Sequence, residues 1–278
     1  MIAAATVGAE AGQRLATALM RASSHFDQRM VDAPVLGWHG RTGGVRVQNA
    51  RGDEAWLRVV VARPELARGD WWNGNVDASA IDGVQRPAVL AWHEWVEGSM
   101  SVRAELMELL PGTVCSSTPE LRHDLLLDDR WWASLDDNLA RLAAHPTDRR
   151  STTPESIAHR GHVLFGARYD LSNVAWVTAH GDLHWANLFA PDFALLDWEA
   201  WGIAPAGSDV AGLYLHSLLV PDVAGAILDR FPAVFASTSG RIGLVFHASR
   251  ILARAMGGDY PDLIDPVHEA VRRFAPQM

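Results

Sequence analysis

The sequence contains no lysine, so all 24 of its basic side chains are arginine. It has a single cysteine, Cys115, which excludes an internal disulfide and favours a reducing compartment. No run of 18 apolar residues occurs, and no basic leader precedes the apolar residues at the N-terminus. We therefore expect neither a membrane span nor a signal peptide, and we predict a cytoplasmic protein.

The chain also lacks the surplus of positive charge that binds nucleic acid, because its formal net charge is −9. What it does have is a hydrophobic fraction of 49% over 278 residues, including 12 tryptophans. This composition is typical of a folded protein with a large core, arranged as one big domain or two lobes. We expect no nucleic-acid or membrane partner, and the composition does not indicate an oligomeric state.

The order of predicted elements indicates an α+β fold with two lobes. The first part of the chain combines helical segments with β-rich runs, at residues 10–25, 35–38, 45–48, 55–61, 77–81, 88–95 and 101–109. The second part combines helical segments with brief strands, at residues 119–127, 131–144, 154–169, 174–178, 187–189, 193–197 and 208–274. We predict a β-rich lobe over residues 1–110 and a helical lobe over residues 111–278.

The most informative stretch lies in the predicted helical lobe, between residues 180 and 199. It reads His-Gly-Asp-Leu-His-Trp-Ala-Asn and, after a short gap, Leu-Leu-Asp-Trp-Glu. Asp182 follows a predicted strand, while Asn187 and Asp197 stand at the two ends of a predicted hairpin and can therefore face one cavity. An amide oxygen and a carboxylate are ligands that Mg²⁺ accepts, and Asp182 is placed to receive a hydroxyl proton. Each residue alone is typical of a turn or a cap, but the ordered set indicates phosphoryl transfer.

This ordered set resembles the catalytic and metal-binding segments of the aminoglycoside phosphotransferase-like family, which consists of small-molecule kinases with a protein-kinase-like fold. The resemblance implies that Asp182 is the catalytic base and that Asn187 and Asp197 bind Mg²⁺. It also implies that His180 and Asp209 support the catalytic loop. ATP or GTP would donate its γ-phosphate to a hydroxyl of a small molecule. The acceptor could be an aminoglycoside or another antibiotic, an amino alcohol, a sugar or a biosynthetic intermediate.

The resemblance extends to segments that bind the nucleotide. Residues 104–112 are similar to the strand and hinge whose backbone groups pair with adenine, and these groups fall on Glu108 and Leu110. An ordinary strand that ends in a turn is the alternative. The glycine-bearing hairpin at 37–44 would cover the phosphates with backbone N–H groups, although it lacks the G-x-G-x-x-G spacing.

Arg58 occupies the position at which such kinases carry a phosphate-binding lysine. A guanidinium can hold phosphate oxygens bidentately, so an arginine can replace the lysine. An arginine on the exposed face of an edge strand is the alternative. We choose Asp77 as the acidic partner of Arg58 at the nucleotide site, with Glu65 as the rival.

Two further groups are candidates for contact with the acceptor. The first consists of Trp185 in the catalytic loop and Trp201, because aromatic rings stack on sugars or cage cationic amines. The second is an acidic cluster near the C-terminus, which the resemblance places near substrate amines and which consists of Asp259, Asp262, Asp265 and Glu269. A solvated helix start is the alternative for the acidic cluster.

Two other functions stay open. A non-catalytic pseudokinase that binds nucleotide or a partner is suggested by the missing lysine, although the full set of oxygen-bearing residues argues against it. A metal-dependent phosphoesterase is suggested by Gly-Asp-Leu-His at 181–184, but no Gly-Asn-His element follows.

Overall fold

The computed structural model describes residues 2–37 and 40–275, with side chains described from residue 10 onward in those ranges. The chain forms two compact units. The first unit comprises residues 1–79 and 87–111, and the second comprises residues 80–86 and 112–278. The lobes predicted from the sequence placed residues 80–86 in the first lobe, whereas they belong to the second unit. The functions assigned to the lobes stay a prediction.

The first unit is an antiparallel sheet with helices. Its elements are α1 (Ile2–His25), β1 (Arg29–Met30), β2 (Val35–Leu36), β3 (Thr42–Gln48), β4 (Glu54–Ala62), α2 (Asp70–Asp77), β5 (Val89–Glu97) and β6 (Met100–Glu108). The strand order is β1-β3-β4-β6-β5, and β2 also pairs with β3. All of these pairings are antiparallel, as the meander predicted from the sequence requires.

The core of the first unit forms where α1 meets one face of this sheet. Leu15 and Leu19 of α1 are buried in one cluster with Val45 of β3 and Leu57 of β4. The two leucines are four residues apart, so they share one face of the helix, and the strand residues share one face of the sheet. The apolar face predicted for residues 10–25 is confirmed by this packing.

The second unit is mainly helical and contains two small antiparallel sheets. Its elements are β7 (Thr113–Val114), α3 (Asp129–Ala144), α4 (Pro154–Phe165), β8 (Trp176–Ala179), β9 (Leu188–Ala190), β10 (Ala194–Leu195), β11 (Gly202–Pro205), α5 (Ser208–His216), α6 (Pro221–Arg230), α7 (Pro232–Ala236), α8 (Thr238–Ala255) and α9 (Ile264–Phe274). The strands form the sheets β10-β9-β7 and β11-β8. Among the described residues, no helix has both the length and the apolar character needed to cross a bilayer.

Helices α5 and α8 pack closely through two glycines. A Cβ at Gly212 of α5 would lie 2.9 Å from the His247 Nδ1 atom of α8, and a Cβ at Gly243 of α8 would lie 2.6 Å from the Ser208 Cα atom. Both distances are shorter than a side chain allows, so glycine is needed for the two helices to approach this closely. This packing fixes the position of α8, which carries Arg250.

Three helical predictions were wrong in extent or in kind. Residues 119–127 are not helical, because their backbone groups bond to distant segments: Leu121 N donates to His216 O, and Pro119 O accepts from Trp185 N. The helix expected at 77–81 is α2, which lies earlier and is followed by a short 3₁₀ turn. Helix α4 ends at Phe165 because Gly166 adopts a left-handed conformation with φ 64°.

Candidate active site

The backbone of the loop after β8 is hydrogen-bonded to Asp209, which lies in the first turn of α5. The two oxygens of its carboxylate accept hydrogen bonds from His180 N, at 2.7 Å, and Gly181 N, at 2.9 Å. Burial raises the pKa of Asp209, and these two N–H donors oppose that effect. Asp209 thus holds the backbone of this loop, and its role in catalysis stays a prediction.

Gly181 makes this tight loop possible. Its φ is +78°, and a Cβ would lie 2.3 Å from both the Ala200 carbonyl oxygen and the Ser151 hydroxyl oxygen. Any side chain would therefore collide with a backbone atom, in a conformation that already favours glycine. The loop and the segment after β10 can approach this closely because residue 181 has no side chain.

His180 ties the loop to the end of the hairpin. Its ring is completely buried, and Nε2 lies 2.8 Å from the Leu196 carbonyl oxygen. Burial lowers the pKa of His180, so the ring is neutral at physiological pH and Nε2 donates the hydrogen bond. The contact joins the loop to the segment before Asp197, and the supporting role of His180 in catalysis stays a prediction.

In the hairpin formed by β9 and β10, the backbone at Asn187 is hydrogen-bonded to the backbone next to Asp197. Leu196 N, one residue before Asp197, donates to Asn187 O at 2.9 Å. Asn187 Nδ2 in turn donates to the Asp182 carbonyl oxygen at 3.0 Å. Two hydrogen bonds therefore connect the segments that carry Asp182, Asn187 and Asp197. Asp197 itself has φ +58°, an uncommon conformation for a residue other than glycine that occurs often at functional sites.

Asn187 and Asp197 fit the requirements of a Mg²⁺ ion. The amide nitrogen of Asn187 is used by Asp182 O and by His184 Nε2, at 3.3 Å, so its oxygen is the atom available to a cation. One amide oxygen and one carboxylate suffice for Mg²⁺, which takes its remaining ligands from water and phosphate oxygens. Within the described ranges, no group of three or more His, Cys, Asp or Glu side chains is arranged to hold a metal ion.

The side chain of Asp182 is paired with Arg250 of α8, a residue that the sequence analysis missed. Arg250 Nη2 donates to Asp182 Oδ1 at 2.8 Å, and Arg250 Nη1 donates to the Gly181 carbonyl oxygen. Burial raises the pKa of Asp182, but the electrostatic effects of Arg250, His184, Arg254 and His216 together outweigh it, so the pKa lies well below its ordinary value. Asp182 is ionised at physiological pH. The partners are 68 positions apart in the sequence, and no motif links them that could have revealed the pair.

Two buried histidines border the same carboxylate. His184 Nε2 lies 3.7 Å from Asp182 Oδ2, and the rings of His184 and His216 have centroids 5.5 Å apart. Burial lowers the pKa of His184 to about 3 and that of His216 to about 4. Both rings are therefore neutral at physiological pH, and Asp182 keeps its negative charge next to two uncharged imidazole rings.

In the first unit, Arg58 of β4 belongs to a buried polar cluster. Arg58 Nη1 donates to Glu105 Oε2 at 3.2 Å, and Asn75 Nδ2 donates to the same oxygen at 2.8 Å. Arg103 Nε lies 3.3 Å from Glu105 Oε1. Glu105 is therefore a buried acidic partner of Arg58 that the sequence analysis missed, because it considered only Asp77 and Glu65. The period-2 pattern of β6 was the available signal, since it places Glu105 opposite Arg58 in the register.

The other predicted nucleotide contacts lie in the first unit. Asp77 is the last residue of α2. Glu108 ends β6, where its N–H donates to Ala88 O at 2.8 Å, and Leu110 follows in an irregular segment. The hairpin predicted to cover the phosphates includes residues 38 and 39, which lie outside the described residues. The nucleotide roles of all these residues stay predictions.

The two tryptophans expected to touch the acceptor are buried, and this expectation is corrected. Trp185 has no exposed surface, and its Nε1–H donates to Ser217 Oγ at 2.8 Å. Trp201 is 3% exposed, with the Arg149 guanidinium 4.4 Å from the centre of its ring. Both rings are occupied by packing contacts, as large aromatic side chains usually are.

The acidic cluster near the C-terminus is at the surface. Asp262 and Glu269 are exposed, and Asp259 is partly exposed. Asp262 Oδ2 accepts a hydrogen bond from Arg122 Nη1 at 2.8 Å. Asp262 is thus engaged in a surface ion pair, and a role of the cluster in binding the acceptor stays a prediction.

Comparison with solved structures reveals the same fold in several phosphotransferases. The aminoglycoside phosphotransferase APH(4)-Ia superposes with a TM-score of 0.60 at 14% identity, covering 94% of this chain and 99% of that chain. The macrolide 2′-phosphotransferase MphH from Brachybacterium faecium gives a TM-score of 0.54 at 16% identity, with the same coverages. Amicoumacin kinase hAmiN, in complex with AMP-PNP, Ca²⁺ and Ami, gives 0.55 at 10% identity, covering 84% and 85%.

Sequence comparisons give no match of this kind. No family model matches the chain. No curated protein matches it either. The likeness therefore lies in the three-dimensional arrangement, which spans nearly the whole of these phosphotransferases. The fold class expected from the sequence is confirmed: the chain has the two-lobed, protein-kinase-like α+β fold of the aminoglycoside phosphotransferases.

Proposed function

We propose that this protein transfers the γ-phosphate of ATP or GTP to a hydroxyl group of a small molecule. The observation that supports this proposal most directly is the pair of hydrogen bonds that links the segments of Asp182, Asn187 and Asp197. Its fold neighbours include an amicoumacin kinase and a macrolide phosphotransferase, which modify small molecules. Phosphoryl transfer needs little from a protein beyond aligned oxygens, charge neutralisation and a proton acceptor, and these residues can provide them.

In the proposed reaction, the acceptor hydroxyl oxygen forms a bond to the γ-phosphorus as the bond from that phosphorus to the bridging oxygen breaks. The electron pair of the broken bond leaves with the nucleoside diphosphate. Asp182 is ionised because of Arg250, so it can orient the hydroxyl group and accept its proton. Asn187 and Asp197 would hold Mg²⁺, which when bound neutralises charge on the phosphate oxygens.

Three further residues would prepare the loop rather than take part in the transfer. Asp209 holds the backbone of the loop from one side, and His180 ties it to Leu196 on the other. Gly181 lets the loop approach Ala200. A catalytic carboxylate must be fixed in position, and these contacts fix the backbone to which Asp182 is attached. Arg58, Glu108, Leu110 and Asp77 keep their predicted roles as nucleotide contacts.

The test measures formation of nucleoside diphosphate with Mg²⁺ and a panel of sugars, amino sugars, amino alcohols, hydroxy acids and antibiotics. We expect turnover with at least one acceptor class, and a fall of roughly 10²–10⁴-fold in Asp182→Asn, since a positioned proton acceptor contributes about that factor. The matched control is Asp192→Asn, which changes an exposed aspartate in the turn of the same hairpin. This control should retain the parent rate.

A non-catalytic nucleotide-binding protein is the second candidate, and two observations favour it. Arg58 stands at the position where such kinases carry a lysine. Arg250 donates a hydrogen bond to Asp182 Oδ1, which makes that oxygen less available to a substrate hydroxyl. If titration shows nucleotide binding but no acceptor gives turnover, or if Asp182→Asn is as active as the parent, the proposed transfer is wrong. Hydrolysis of a simple phosphate ester without nucleotide would instead favour the phosphoesterase alternative.

A further inference from the structure

A cavity of about 390 Å³ lies in the second unit, next to the loop that carries Asp182. Three of its lining residues are arginines, namely Arg150, Arg160 and Arg250. Hydroxyl side chains from the segment before α4 and from its first turn, including Ser151 and Ser156, form another part of its wall, and no acidic residue is among the described residues that line it. The volume suits a small molecule, and the lining combines positively charged and hydroxyl side chains with the apolar Ala200 and Phe246.

Arg250 and Ser151 connect this cavity to the proposed catalytic base. Arg250 lines the cavity and also donates to Asp182 Oδ1 at 2.8 Å. The Ser151 hydroxyl lies beside Gly181, because a Cβ at Gly181 would be only 2.3 Å from Ser151 Oγ. Ser151 Oγ is buried and makes no hydrogen bond within the described part of the chain. A buried hydroxyl without a partner is costly, so this atom is a candidate for contact with a bound molecule.

Two of the three arginines that line the cavity make no ion pair with a carboxylate among the described residues. Arg150 and Arg160 are exposed, and neither makes an ion pair within 4.0 Å among the described residues. Arg250 is compensated by Asp182. Glu155 of α4 makes an electrostatic contribution at Arg150. That side chain bonds to the backbone and to Thr153 at its own helix terminus, and it interacts with Arg150 only through the electrostatic field. Two arginine charges therefore face the cavity without a carboxylate partner.

We propose that this cavity binds the acceptor and that the acceptor carries an oxyanion, either a phosphate or a carboxylate, in addition to its reactive hydroxyl. The proposal rests on the proposed phosphotransfer, since it assigns the substrate of that site. Guanidinium groups bind oxyanions through paired, charge-assisted hydrogen bonds, which suits Arg150 and Arg160. A polycationic amino sugar would instead bring its ammonium groups close to the two uncompensated arginines, where like charges repel.

This assignment also gives Arg250 a second role. An oxyanion in the cavity would offer Arg250 an alternative partner to Asp182. If Arg250 donated this hydrogen bond to the bound acceptor instead, Asp182 Oδ1 would be free to accept a hydrogen bond from the acceptor hydroxyl. Arg250 is therefore a positioning residue that couples occupation of the cavity to the availability of the base.

The first experiment measures binding without nucleotide, so that it does not depend on turnover. Inorganic phosphate, acetate and methylammonium are titrated separately by calorimetry against the parent, Arg150→Gln/Arg160→Gln and Arg168→Gln. Arg168 is the matched control, because it is an exposed arginine beyond the end of α4 and does not line the cavity. We expect phosphate or acetate to bind, with roughly a tenfold higher Kd in the double variant and an unchanged Kd in the control, because two charge-assisted contacts are lost.

The two oxyanion probes distinguish the possible acceptors, since preference for phosphate or acetate identifies the group. Absence of oxyanion binding by the parent, or equal binding by the double variant, would overturn the proposal, as would binding of methylammonium that the double variant strengthens. All of the substituted arginines are exposed in the parent protein, and thermal unfolding checks that the variants are folded.

A second experiment separates failure of this proposal from failure of the proposed function. In the nucleotide assay, acceptors are compared by charge, and we expect an anionic acceptor whose KM rises roughly tenfold in the double variant while kcat is retained. Turnover of a cationic acceptor with the same KM in both proteins would overturn the proposal and leave the kinase function intact. Oxyanion binding at the arginines without any turnover would leave the site intact and overturn the kinase function.

Discussion

The buried cluster around Glu105 allows a quantitative test of how Arg58 is held. The side chain of Glu105 is 2% exposed, and its oxygens contact Arg58, Asn75 and Arg103. The substitution Glu105→Gln keeps the size of the side chain and an oxygen for Asn75 but removes the negative charge. Arg103, whose side chain is also 2% exposed, then keeps only its contact with the exposed Glu94 as compensation.

Removing one partner of a buried ion pair typically costs about 3–5 kcal/mol, because the other charge is left buried without compensation. Since Arg103 retains Glu94 and the introduced amide retains a hydrogen bond to Asn75, we expect the lower end, about 3 kcal/mol. For a protein of this size, that loss corresponds to a fall in Tm of roughly 6–12 °C. Arg58 would also lose its hydrogen bond to Glu105, so affinity for nucleotide should fall in the same variant.

The assay is thermal unfolding followed by tryptophan fluorescence, with nucleotide affinity measured by titration. The matched control is Glu65→Gln, which removes an exposed carboxylate that was the rival partner of Arg58. We expect the control to change the free energy of unfolding by no more than about 0.5 kcal/mol. A Tm of Glu105→Gln within the error of the parent value would refute the reasoning, because it would mean that the buried charges need no compensation.

Three further outcomes are expected in the second unit. Lowering the pH from about 6.5 towards 4 should decrease the free energy of unfolding. Over that range His184 and His216 bind protons when unfolded but stay neutral when folded, and urea unfolding at several pH values measures the effect. Arg250→Gln should raise the pKa of Asp182, so the acid limb of the pH–rate profile should move to higher pH; an unchanged limb would contradict the assigned ion pair. Gly181→Ala should lower kcat and Tm together, and a fully active, equally stable variant would show that the loop can relax.

Much of the fold could be predicted because it depends on local pattern. The alternation of β3, β4 and β6 and the four-residue spacing of Leu15 and Leu19 follow from burial of one face of each element. Residues 119–127 show the limit of this reasoning. Their apolar spacing resembles a helix, but hydrogen bonds to His216 and Trp185 hold the segment in an irregular conformation. Such bonds join distant parts of the chain and leave no local signal.

The sequence by itself predicted the chemistry proposed for the candidate site, because Asp182 shortly precedes one hairpin that Asn187 and Asp197 flank, and the geometry of such a segment depends on short-range spacing. Only the tertiary structure decided which charges surround that chemistry. Arg250 reaches Asp182 from α8, Glu105 meets Arg58 across neighbouring strands, and Arg150 and Arg160 line the same cavity as Arg250. Electrostatic interactions depend on distance in space rather than along the chain, so the charge of the cavity, and with it the proposed acceptor, required the folded structure.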